Sequence, residues 1–173
     1  LQKLQTIVST FVPLDLEGSF NFAPSTRSEI RAFSRAEKLF IKAEKMRDKN
    51  RIDRAFDFLE KGEARAKETL EEHWLLIAVH LRIGAISLEM DNLSRASESY
   101  GKALNQSANL LGSRHPQTIS IASKLAKIFE IGGNYESAIS LRNTISETME
   151  SIFGPTHFLV LKEYELLSFV YRS

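Results

Sequence analysis

Asn50-Arg51-Ile52-Asp53-Arg54-Ala55, Asp91-Asn92-Leu93-Ser94-Arg95-Ala96 and Gly133-Asn134-Tyr135-Glu136-Ser137-Ala138 are three versions of one hexapeptide. Their alanines lie 41 and 42 residues apart. A second mark keeps the same period. Gly112-Ser113-Arg114-His115-Pro116 is answered by Gly154-Pro155-Thr156-His157, and His73 stands 42 residues before His115. Self-similarity at a fixed period of a few tens of residues marks an array of stacked units that bury one another's faces.

The segments between these marks have helical spacing. Between 92 and 111 the apolar or small positions are Leu93, Ala96, Tyr100, Ala103, Leu104, Ala108 and Leu111, in steps of three and four. Between 116 and 131 the set is Ile119, Ile121, Ala122, Leu125, Ala126, Ile128, Phe129 and Ile131. Pro116 suits a first helical position, where its missing N–H is no loss. Gly112 and Gly154 suit left-handed helix ends. Nothing reads as a strand. The expectation is an all-α chain of antiparallel helix pairs, about three of them, closed by a capping helix near 157–172.

Residues 1–31 fall outside the repeat and are read as an N-terminal arm, with the helical repeat domain over 32–173. Leu1, Leu4, Ile7, Val8 and Phe11 suggest a short amphipathic helix ended by Pro13, and 13–25 reads as a linker. Thr26 and Glu29 form a capping-box pattern that starts a helix running to about Lys49, whose mixed charges suit a solvated face. The chain begins at Leu1 rather than Met and ends directly after an apolar helix, as expected of a piece of a longer protein.

Composition excludes several function classes. Among 173 residues, 23 Lys and Arg against 22 Asp and Glu leave no basic footprint for nucleic acid or a membrane surface. No apolar run approaches the ~20 residues of a membrane helix. The absence of cysteine excludes disulfides and thiolate metal sites, and fits an intracellular, cytoplasmic protein. There is no nucleophile elbow, HExxH or phosphate-cradling glycine loop, so no catalytic residue and no cofactor is expected. The histidines at constant period do not make a metal site. Equivalent positions in stacked helix pairs lie on the order of 15–20 Å apart, whereas ligands must sit within ~2.1 Å of one ion. His115 and His157 are read instead as helix starters.

Ile83-Gly84, Leu93, Ala96, Tyr100 and Ala103, echoed by Leu125-Ala126, Phe129, Gly133, Tyr135 and Ala138, resemble the tetratricopeptide (TPR) repeat consensus. The period of 42 and the run from His115-Pro116 to Gly154 are similar to kinesin light chain repeats. The resemblance covers roughly 36–172 and implies a right-handed superhelical solenoid. It also implies a scaffold or adaptor whose first helices line a concave groove for a partner peptide or helix. Departures are Lys42 at a usually apolar position, Ser87 and Arg142 at usually aromatic ones, and Ile145 at a usually small one. Ser123-Lys124 stands where light chains carry two peptide-holding asparagines.

On that resemblance the groove positions are Phe40 and Glu44, then Ala78, Leu81, Arg82, Ala85 and Leu88, then Ser123, Lys127 and Glu130, with Glu165 and Phe169 in the last helix. The helix near 73–90 is apolar around almost its whole circumference, so it is buried on all sides or meets a partner. Three occupants stand open: the chain's own arm, a partner peptide or helix, or a second copy. A clamp for acidic chaperone tails is not expected, because Phe40, Glu44, Leu81, Ala85 and Ser123 supply no paired cations. Two alternative functions stay open. One is an oligomerisation module. The other is a regulatory lobe like the C-terminal helical domain of SET-and-MYND lysine methyltransferases, which shares the Gly-x-x-His turn and would need zinc cysteines upstream of Leu1.

Overall fold

A computed structural model describes residues 26–70 and 74–172. The expected arm helix, its linker and His73 lie outside the described residues. The described residues form helices and no strand. The helices are α1 (Arg27–Asp48), α2 (Ile52–Leu70), α3 (Trp74–Glu89), α4 (Leu93–Leu111), α5 (Pro116–Ile131), α6 (Tyr135–Phe153) and α7 (Phe158–Val170). The helix pairs are α1/α2, α3/α4 and α5/α6, with α7 closing the series. α1 runs through the expected boundary at 31/32, because Thr26 and Glu29 make a reciprocal capping box at its start. The described residues also divide into two compact units, at Ala103/Leu104 within α4.

The periodic hexapeptide is a turn built the same way each time. Asn50 and Asp91 take φ of 55°, and Gly133 takes 73°. These are the residue types that tolerate left-handed backbone. The next amide then reaches back to a carbonyl five residues earlier: Arg51 to Met46, Asn92 to Ser87 and Asn134 to Phe129, each at 2.9 Å. Such a bond satisfies a carbonyl that the helix end leaves open. Asn92 and Asn134 then cap the following helix, accepting from the amides of Arg95 at 2.9 Å and Ser137 at 3.2 Å. The alanine that closes each hexapeptide (Ala55, Ala96, Ala138) is fully buried.

The first unit packs α1, α2 and α3 around Phe33, Phe40, Leu59, Val79, Ile83 and Ile86. Two glycines set how close its helices come. A Cβ on Gly62 would run into the Phe40 ring, and one on Gly84 would lie 2.7 Å from the Tyr100 ring. In the second unit the core is Ala122, Ile145, Met149 and Val160, with Leu104, Ile119, Leu141 and Leu159 against it. Ile145, large where a small residue is usual, packs in the same cluster as Ala122. Large and small side chains thus share that layer.

Candidate partner-binding site

α3 combines a buried face with a half-exposed one. Leu76, Ile77, Val79, Ile83 and Ile86 are buried. Ala78, Leu81, Arg82, Ala85 and Leu88 are half-buried and recur at steps of three and four, so they share the other face. Arg82 is ion-paired with Glu44 of α1. Near one end of the stripe a further ion pair joins Arg47 of α1 to Glu89. The first unit therefore presents an apolar strip with charged pairs linking it to α1.

Other expected groove residues are placed differently. Phe40 is 2% exposed, because α2 carries Gly62 where a side chain would stand and the ring fills that space. It belongs to the core and offers no surface to a partner. In the second unit Ser123 is half-buried, Lys127 is exposed and Phe169 is 69% exposed. Glu130 is engaged, accepting from Nε of Arg142.

Arg142 carries a feature that spacing alone did not reveal. It is 3% exposed. Besides Glu130 on α5, its Nη1 donates to Glu163 Oε1 on α7 at 2.6 Å. One register upstream the same three positions carry Leu88, Tyr100 and Ile121. Three apolar residues have therefore been exchanged together for an acid, a base and an acid. The carboxylates keep the guanidinium pKa above its usual value in spite of burial. The sequence signal was the co-occurrence of Glu130, Arg142 and Glu163 at one repeat offset.

A second charged hub ties the first unit together. Glu63 of α2 receives Lys67 at 2.7 Å, Lys102 of α4 at 3.2 Å and Nε2 of the buried His80 of α3 at 3.4 Å. Lys102 also meets Glu98 at 2.6 Å. The close approach of His80, then the two lysines, hold the Glu63 carboxyl well below the usual carboxylate range against the opposing effect of burial.

The histidines act on the backbone. Nδ1 of His115 accepts from the amide of Gln117 at 3.1 Å, and Nδ1 of His157 accepts from that of Leu159 at 3.3 Å. Partial burial lowers the His115 pKa. Among the described residues no group of three His, Asp or Glu side chains is placed to hold a metal ion. No described helix is long and apolar enough to cross a membrane.

Residues 75–151 match the family model of the tetratricopeptide repeat. No curated protein matches the sequence. Among solved structures, the fold is similar to the nearly identical TPR-like repeats assigned to a kinesin light chain of Podosopora anserina. The TM-score is 0.58 at 20% identity, over 80% of this chain and 66% of that one. It is likewise similar to BtubC (BKLC) of P. vanneervenii, with TM-score 0.58 at 22% identity over 83% of this chain and 57% of that one. A glutamine-to-methionine variant of the Podosopora anserina repeats aligns with TM-score 0.59 at 20% identity, over 80% of this chain and 66% of that one. The chain thus spans just under two thirds of the first of these structures and less of the second. Residues 75–151 thus resemble tetratricopeptide repeats, and the chain shares the fold of these TPR-like structures.

Proposed function

From repeats of this type, which generally serve as protein-interaction modules, we propose that this chain is a non-catalytic scaffold in the cytoplasm. It binds a partner through the half-exposed face of α3. The observation that carries the reading is the strip Ala78, Leu81, Ala85 and Leu88, apolar and yet not closed over by the described residues of its unit. A partner fits it by laying apolar side chains at helical or extended spacing onto the strip. The Arg82–Glu44 pair beside it sets register rather than affinity, since partly exposed ion pairs contribute little net energy.

The test is affinity capture from native cells with the chain and with a Leu81→Glu, Leu88→Glu double variant. Both positions are half-exposed, so the variant is expected to keep its helicity by circular dichroism. Loss of specific partners from the variant supports the assignment. An unchanged set of captured proteins contradicts it.

A further inference from the structure

The closing helix α7 has an outward face whose sequence reads the same in either direction by chemical type. Val160, Glu163, Leu167 and Val170 are buried. Opposite them lie Phe158, Leu161, Lys162, Glu165, Leu166 and Phe169, all exposed. At 100° per residue these six fall within one arc of about 140°. Phe158 is 67% exposed, Phe169 69% and Leu161 55%, unusual values for large apolar side chains gathered on one short helix. About the midpoint between Glu163 and Tyr164, phenylalanine mirrors phenylalanine, leucine mirrors leucine, and Lys162 mirrors Glu165.

We infer that this face pairs with the same face of a second copy of the chain, antiparallel, across a two-fold axis. A two-fold interface must be self-complementary, each patch meeting its own counterpart reversed. Antiparallel pairing of α7 meets that condition. It sets Phe158 of each copy against Phe169 of the other and brings Lys162 to the same height as the second copy's Glu165. The leucines at 161 and 166 flank the contact. A parallel arrangement sets Lys162 against Lys162 and Glu165 against Glu165, so the charges choose the orientation. The inference rests on α7 alone and does not depend on the proposed function. One pair of 13-residue helices buries less than the roughly 1,200 Å² of a standard interface. Its contact area is therefore that of a weak, transient dimer.

Sedimentation velocity of the 173-residue chain across a concentration series tests this, with Lys162→Glu, Glu165→Lys and the double reversal. The wild type is expected to dimerise. Each single reversal sets like charges together twice per dimer and weakens association by about tenfold or more. The double reversal restores it, because the charges are again opposite. Rescue by the second reversal is a readout that general loss of folding or of hydrophobicity does not produce. A chain that stays monomeric at all concentrations overturns the inference. So does a dimer indifferent to the single reversals, which places the contact elsewhere.

Discussion

Gly84 shows how a single side chain sets the approach of two helices. The Tyr100 ring occupies the space a Cβ would need. Gly84→Ala is therefore expected to destabilise the chain: overpacking costs about 1–3 kcal/mol, against the ~1 kcal/mol that alanine gains over glycine within a helix. In a Tyr100→Ala background the obstacle is gone, and the same substitution should become neutral or stabilising. Urea denaturation of the four proteins measures the reversal of sign. Glu63 acts through charge. Its folded pKa is lowered, so the carboxylate's contribution is complete above the ordinary value near 4.5 and is lost as pH falls below it. Glu63→Gln should lower stability at neutral pH and flatten the acid limb of a stability-against-pH curve. The glycine at the close contact was legible as part of a small-residue pattern. The Glu63 hub was not: Lys67 stands at the legible i,i+4 spacing, but His80 and Lys102 arrive from two other helices.

At the scale of the element, the turns were the most legible feature. Asn50, Asp91 and Gly133 tolerate left-handed backbone, and that chemistry is local to the sequence. The helix-starting histidines were legible for the same reason. His115 caps α5 through an unprotonated Nδ1, and its folded pKa is lowered. Its contribution is thus complete above the usual value near 6.5 and fades as pH falls through and below it. His115→Asn keeps a capping acceptor and should remove this part of the pH dependence between 7 and 5 (read from thermal unfolding at each pH). Arg142 was legible only as a departure from an aromatic pattern, since its meaning depends on Glu130 and Glu163 arriving from two other helices. Arg142→Ala leaves two carboxylates without their cation and should cost about 3–5 kcal/mol. Replacing the triad with its upstream counterparts (Glu130→Leu, Arg142→Tyr and Glu163→Ile together) should be neutral or stabilising, because well-packed apolar groups often equal a buried ion pair. Equilibrium unfolding of both variants separates a charge cluster that selects helix pairing from one that supplies net stability.

On the scale of the whole molecule, the repeat period and the number of helices among the described residues follow from the sequence, because each repeat has the same turn chemistry and the same small-residue contacts. The interaction surfaces were only half legible. Helical spacing put Leu81, Ala85 and Leu88 on one face, but Phe40 at an equivalent register is sealed by Gly62, a contact invisible to any one-dimensional pattern. Glu130, an expected groove residue, is half-buried and ion-paired with Arg142, a contact that spacing alone does not show. What remains is an apolar strip on α3 in the first unit and a self-complementary face on α7 in the second. The α3 strip is proposed to bind protein. Calorimetric titration of a captured partner into the wild-type chain and into the Leu81→Glu, Leu88→Glu variant tests it most directly. The wild type should bind with a negative heat-capacity change, and the variant should lose at least roughly a hundredfold in affinity, as two desolvated leucine anchors are removed. Equal affinity for the two proteins would contradict it.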